Sequence, residues 1–178
     1  MRIRSNTYEK VCHLIASNIR DKIKHTNHVV LGLATGSTPI GIYEKLSSMK
    51  DTNFSDTITF NLDEYVGIDK YHQQSYQYFM NKHLFNNLNF RKHYFPTEEN
   101  HNEYDLMIKN SGGIDIQILG IGTNGHIAFN EPGSSKYSST RIVDLTENTI
   151  KDNSRFFDNI NDVPTQAYTM GLSRIMSA

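Results

Sequence analysis

The sequence predicts an α/β domain built on a mostly parallel sheet with helices on both faces. Three observations carry that prediction. Apolar, β-branched runs of five or six residues recur at 29–33, 57–62 and 114–119. Amphipathic stretches with three- and four-residue apolar spacing lie between them. Each run empties into a short loop rich in glycine, hydroxyl or carboxylate residues. Those loops gather at one end of the sheet, the end where open α/β sheets bind ligands.

The elements follow in order. Tyr8, Val11, Cys12, Ile15, Ile19 and Ile23 mark one face of a first helix, which Asn6 or Thr7 could cap. Val29 to Leu33 reads as a strand, followed by the tight loop Ala34-Thr35-Gly36-Ser37-Thr38-Pro39. Pro39 suits the first turn of a helix, whose apolar face is Ile40, Ile42, Tyr43 and Leu46. Thr57 to Leu62 is a second strand, ending at Asp63-Glu64-Tyr65-Val66-Gly67. Helices are expected from Ser75 through Phe85 and from about Glu98 to Lys109. A third strand, Ile114 to Leu119, opens into a loop holding Gly120, Gly122, Gly125, His126 and Glu131. Residues 130 to 140, rich in Gly, Ser and Pro, read as a candidate lid. The last eight residues read as a helix beginning, so a chain cut short before further strands is expected.

Composition narrows the function. The chain has 178 residues, 37% of them hydrophobic, and a formal net charge of −1, which suits one domain, residues 1–178, with its own core. That charge gives no reason to expect a nucleic-acid or membrane-surface partner. No apolar run reaches the roughly 18 residues of a membrane span, and the N-terminus has no signal-peptide core. The single cysteine, Cys12, sits among apolar neighbours and reads as a buried, inert thiol. One cysteine allows no internal disulfide and fits a cytoplasmic protein. No Cys/His cluster has zinc spacing. Of the eight histidines, His25, His28, His83, His93 and His101 read as surface polar residues. His126 alone lies inside a compact pattern of glycines and polar groups, with His72 beside another loop of interest.

Four short segments can carry chemistry. The loop Thr35-Gly36-Ser37-Thr38 offers hydroxyls, close backbone approach and a helix N-terminus, a workable phosphate site or an ordinary capped turn. It has no Gly-Lys-Ser/Thr, so nucleotide hydrolysis is not indicated. Asp63 and Glu64 end a strand, where carboxylates serve as a catalytic base, cap a helix or face solvent. His126 can shuttle a proton with Glu131 orienting it; a carboxylate paired with the ring would raise its pKa. Arg155, flanked by aromatics, needs an anion if partly buried, and a phosphate or a structural carboxylate would serve equally. Together these describe a site for proton transfers on a small phosphorylated molecule, with no metal or redox cofactor called for.

Leu31 to Pro39, Phe60 to Gly67, Gly120 to Pro132 and Asn153 to Phe157 together resemble the glucosamine-6-phosphate deaminase family, in order and at compatible spacing. The resemblance implies a Rossmann-like three-layer sandwich. It implies metal-free conversion of glucosamine 6-phosphate to fructose 6-phosphate and ammonia. It makes Asp63 the base that moves a proton from C2 to C1, and His126 with Glu131 the ring-opening pair. It makes Gly36, Ser37, Thr38 and Arg155 the phosphate-binding set. Members occur as monomers and as symmetric oligomers, so a homo-oligomer is compatible with it. Asn124 stands where some members carry an aspartate, so the charge of the relay rests on Glu131. Arg141 and Ser134 match positions that some members use for an allosteric activator. Val143 replaces a lysine there, which removes a charge that activation would use. The related-fold alternative is 6-phosphogluconolactone hydrolysis; a binding module without turnover is the alternative outside enzymes.

Overall fold

In the computed structural model, which describes residues 7–178, the expected parallel sheet is present and is joined by a second, antiparallel one. Helix α1 (Tyr8–His25) buries Cys12, Ala16 and Ile19 at four- and three-residue steps. Lys22, Lys24 and His25 complement the negative end of its dipole. Thr7 occupies the N-cap position but its side chain caps nothing; Asn6 lies outside the described residues. Strand β1 (Val30–Leu33) is buried along its whole length, as a central parallel strand must be. Helix α2 (Ile40–Ser48) packs on α1 and buries Ile42, Tyr43 and Leu46.

Strand β2 (Ile58–Asn61) pairs with β1 in parallel, Leu33 opposite Asn61. Beyond β2 lies a strand the hydropathy pattern conceals, β4 (Lys92–Tyr94), and on the other side of β1 lies β5 (Ile116–Gln117). The order is β4-β2-β1-β5. The crossover from β1 to β2 runs one way and the crossover into β5 the other. The carboxyl ends of β1 and β5 therefore flank a topological switch point, and the crevice for a ligand opens there. Strand β5 is much shorter than the apolar run 114–119 suggests. Its register is set by Asp115, whose carboxylate accepts from the Val30 N–H at 2.9 Å and pairs with Lys22 at 2.9 Å. Gln117 lies over Gly32, where any Cβ would collide with its amide. Helix α4 (Tyr104–Asn110) is shorter than the expected 98–109 helix and reaches the sheet through Tyr104. The Tyr104 hydroxyl donates to the Asn61 carbonyl at 2.9 Å, and its ring meets Phe60 edge-on.

The largest departure follows β2. Leu62 is still bonded to Leu33, but its own carbonyl accepts from Met170 N–H at 2.7 Å. One residue later the chain changes sheets. Strand β3 (Asp63–Tyr65), read from sequence as a loop, pairs antiparallel with β7 (Gln166–Thr169), which also pairs with β6 (Arg141–Asp144). The second sheet has its own small core of Tyr65, Phe129, Leu145 and Ala167. Asp63 therefore stands at the seam between the two sheets. The remaining helices are α3 (Tyr76–Met80), continued by a wide turn at Asn81–Phe85, α5 (Glu147–Ser154) and α6 (Leu172–Ile175). The last of these is the helix that the final residues foreshadow.

Of the histidines expected to be surface polar groups, His25, His28 and His93 are exposed and His83 and His101 are half-buried. His93 stacks on Phe85 at 4.4 Å, and burial pushes its pKa down. His83 leans on Phe79 at 4.4 Å. Among the described residues, no helix is long and apolar enough to cross a membrane.

Glu64 settles one alternative. Its carboxylate accepts from the N–H groups of Tyr65 (3.0 Å), Tyr76 (2.9 Å) and Gln77 (2.9 Å), so it caps α3. Burial pushes its pKa up, against the pull of those donors. Glu64→Ala leaves buried N–H groups without an acceptor and is expected to cost about 3 kcal/mol, roughly 10 °C in Tm. Glu64→Gln, whose amide oxygen still accepts, should recover much of that loss in thermal denaturation.

Candidate active site

A cavity of about 770 Å³ opens at the switch point. Gly36, Ser37, Thr38, Asp63, His126 and Arg155 all line it. Asn124 and Glu131 do not line it; they stand behind His126. The four segments singled out in sequence are thus brought together, arriving from the ends of β1, β2 and β5 and from the end of α5.

The loop after β1 turns at Gly36, whose φ of +95° is a left-handed conformation that favours glycine. Ser37 and Thr38 are exposed and line the cavity. The helix it introduces, α2, has Pro39 at its N-cap position rather than in its first turn.

Asp63 is 8% exposed. Burial pushes its pKa up to about 8, with the charge of Glu64 adding to the effect. It stands among the phenols of Tyr43, Tyr65, Tyr76 and Tyr104, all close enough to feel its charge. Tyr65 and Tyr76 also line the cavity, tilted against each other with centroids 5.0 Å apart. The two adjacent carboxylates have therefore divided their roles. Glu64 turns to the α3 backbone, and Asp63 faces the cavity as a group whose pKa is near neutrality, where a base transfers protons well.

His126 is held by a chain of hydrogen bonds. Its Nδ1 lies 2.8 Å from Asn124 Oδ1, and the Asn124 amide donates to Glu131 at 2.7 Å. A carboxylate only accepts, so the amide nitrogen of Asn124 must face Glu131 and its oxygen must face the ring. The ring then donates from Nδ1, which in its neutral form leaves the lone pair on Nε2. His126 and Glu131 are not directly paired, as the sequence reading expected; Asn124 bridges them. Gly122 makes room for the imidazole, since a Cβ there would come within 2.3 Å of the ring.

Glu131 also accepts from the Thr149 hydroxyl at 2.7 Å. Burial pushes its pKa up, but Thr149, Asn124, the charge of His126 and Thr146 together hold it below the usual carboxylate range. Thr146 is the N-cap of α5, accepting from Thr149 N–H at 3.2 Å. The histidine loop is thereby tied to the start of α5, and Arg155 follows that helix at its end. Arg155 is exposed rather than wedged between aromatics, and its guanidinium lies over the Phe156 ring at 4.6 Å. That contact orients the charge and leaves its donors available to an anion.

The candidate lid is anchored at both ends. Asn130 donates to the Met170 carbonyl at 2.8 Å, and Leu172 N–H donates to the Ser138 hydroxyl at 3.0 Å. Arg141 donates to the side-chain oxygen of Asn130 at 2.9 Å, which gives it a structural partner within the chain. Sequence reasoning missed the cavity residues Tyr65, Tyr76, Gln73 and Gln74. Tyr65 was visible as part of Asp63-Glu64-Tyr65; nothing in the spacing of the others set them apart. Among the described residues, no three His, Cys, Asp or Glu side chains cluster as metal ligands would.

The family profile described as glucosamine-6-phosphate isomerases/6-phosphogluconolactonase matches residues 3–156. A glucosamine-6-phosphate deaminase of Mycoplasma mycoides subsp. mycoides is 54% identical, over 96% of this chain and 73% of that protein. One from Clostridium perfringens is 46% identical, over 98% of this chain and 76% of that protein. The structure of a monomeric glucosamine-6-phosphate deaminase superposes with a TM-score of 0.93 at 38% identity, covering 99% of this chain and 78% of that one. A 6-phosphogluconolactonase from Shewanella baltica superposes with a TM-score of 0.71 at 20% identity, covering 95% of this chain and 72% of that one, a likeness of fold alone.

Proposed function

We propose that this chain, which belongs to the glucosamine-6-phosphate isomerase/6-phosphogluconolactonase family, isomerises and deaminates glucosamine 6-phosphate in the cytoplasm. The observation that carries the reading is the pairing of two proton-transfer groups on one cavity. Asp63 is a buried carboxylate with a pKa pushed up to about 8, and His126 keeps a free Nε2.

In this reading Gly36, Ser37, Thr38 and Arg155 hold the phosphate. Nε2 of His126 takes the proton of the C1 hydroxyl and delivers one to the ring oxygen, which opens the sugar to its aldehyde. Asn124 and Glu131 act through the ring by fixing its tautomer and favouring the imidazolium that forms in between. Asp63 then takes the C2 proton while the aldehyde oxygen gains one from the substrate's ammonium group, leaving an enol that carries a neutral amine. Asp63 returns its proton to C1, which leaves the C1 alcohol and shifts the unsaturation to C2 as a protonated imine. Water adds at C2 and ammonia leaves, so glucosamine 6-phosphate and water become fructose 6-phosphate and ammonia. The amine comes from the substrate, so no enzyme lysine has to form a Schiff base. General acid–base steps of this kind contribute about 10²–10⁴-fold each.

Lactone hydrolysis needs an activated water and has no use for a base poised to remove a carbon-bound proton. The test is direct. Incubation with glucosamine 6-phosphate should release ammonia and fructose 6-phosphate in equal amounts. Acid release from 6-phosphogluconolactone without ammonia from the amino sugar would transfer the assignment to the lactonase side of the family. Binding without either product would leave a sugar-phosphate-binding module.

A further inference from the structure

The loop between β1 and α2 is held by two tyrosine hydroxyls from opposite ends. Tyr43, fully buried on α2, donates to the Ala34 carbonyl at 2.5 Å. Tyr8, in the first turn of α1, donates to the Thr38 carbonyl at 2.8 Å and accepts from the Gly41 N–H at 3.0 Å. The contact from Tyr8 crosses about thirty residues of sequence and takes up both the last carbonyl of the loop and an early amide of α2. Gly41 is small because of it: a Cβ there would lie 2.9 Å from both the Tyr8 oxygen and the Cys12 sulfur.

These bonds decide which polar groups of the loop are left for a ligand. A carbonyl turned toward the cavity would present negative charge to an anion. Tyr43 and Tyr8 engage the carbonyls at the two ends, Ala34 and Thr38. In a trans peptide the N–H points opposite the C=O, so pinning the Ala34 oxygen aims the Thr35 N–H away from the buried Tyr43. Gly41 N–H is already occupied, which leaves the amides of residues 35–38 and of Ile40, with the hydroxyls of Thr35, Ser37 and Thr38, to meet an anion.

We propose that Tyr8 is a positioning residue for anion binding, which with Tyr43 clamps the loop from Ala34 to Thr38 in the form that receives the substrate's phosphate. The inference rests on that loop being the phosphate site. Tyr8 itself does not touch the ligand. Its role is separate from the proton chemistry of Asp63 and His126.

Tyr8→Phe keeps the ring and removes both hydrogen bonds; Gly41→Ala breaks the same contact while leaving the phenol intact. Each should raise KM for glucosamine 6-phosphate about fivefold with kcat within twofold of wild type. Each should weaken inorganic phosphate, measured by calorimetry, by the same factor, and should speed hydrogen exchange of the residue-41 amide. Wild-type affinity for both ligands in Tyr8→Phe overturns the clamp while leaving the phosphate site standing. A fall in kcat with unchanged KM also overturns it, because the tyrosine would then serve the chemistry. Failure of the wild-type chain to bind either ligand overturns the phosphate site and the clamp with it.

Discussion

Asp63→Asn is expected to lower kcat for glucosamine 6-phosphate deamination by about 10³-fold or more while changing the dissociation constant for the sugar phosphate by less than about threefold. The asparagine keeps the size of the side chain at the seam between the two sheets and cannot take the C2 proton. The residues proposed to hold the phosphate lie on other elements, after β1 and after α5. Turnover at the wild-type rate in this variant would remove Asp63 from the mechanism.

The same residue fixes a pH dependence. A base must be ionised, so kcat/KM should fall on the acid side of a limb near pH 8, the value to which burial and Glu64 push Asp63. The substrate's ammonium is an opposite charge beside that carboxylate, so the corresponding limb of kcat should lie at lower pH. Stability carries the opposite sign. The folded state binds the Asp63 proton more tightly than the unfolded state, whose value is about 4. The stabilisation is complete below that value, declines as pH rises above it, and is lost once pH has passed through about 8. Over this window the change is of the order of 5 kcal/mol. Denaturant midpoints measured from pH 5 to 9 should fall in the wild type and fall less in Asp63→Asn. Equal slopes in the two proteins would mean that the carboxyl is not the titrating group.

Asp63 also shows how far the sequence could be read. The apolar run before it, and the loops after Leu33 and Leu119, were visible because local periodicity and turn residues encode them. That was enough for the parallel sheet, the switch-point site and the four segments on one cavity. The strand Asp63 begins was invisible, because its partner Thr169 lies far downstream and three residues have no period to detect. Strand β4 hid for a related reason: Lys92, His93 and Tyr94 are polar residues on a strand at the end of the sheet order, where exposure is tolerated. The cap made by Glu64 and the bridge made by Asn124 depend on where neighbouring backbone and carboxylates come to rest. In both cases the residue types stand out in the sequence, and only the fold separates the carboxylate that caps α3 from the one that faces the cavity. Tyr8 gave no signal beyond its place on an amphipathic face; its hydroxyl acquires a purpose only when α1 is laid beside the loop after β1.

The second large effect concerns His126. His126→Gln retains hydrogen bonding but cannot carry a proton, so ring opening falls back on the spontaneous rate. Loss in kcat of about 10²–10³-fold is expected, with KM within about threefold. A rapid burst should remain, equal to the small fraction of substrate already open, because Asp63 is intact. The bridge behind the ring can be taken apart in two ways. Asn124→Leu deprives Nδ1–H of its acceptor and Glu131 of a donor; the ring then loses its fixed tautomer, and kcat should fall about tenfold or more. Asn124→Asp tests whether position or charge matters. An aspartic acid that keeps its proton can donate to Glu131 and still accept from Nδ1–H, which reproduces the wild-type connectivity. Two carboxylates at that distance repel when both are ionised, which favours the protonated form of one of them relative to an isolated carboxyl. Asn124→Asp is therefore expected to stay within about tenfold of wild type, far above Asn124→Leu. If the two variants are equally impaired, the amide is needed for more than its hydrogen bonds. If Asn124→Leu is as active as wild type, Glu131 has no hold on His126 and belongs to the attachment of α5 alone.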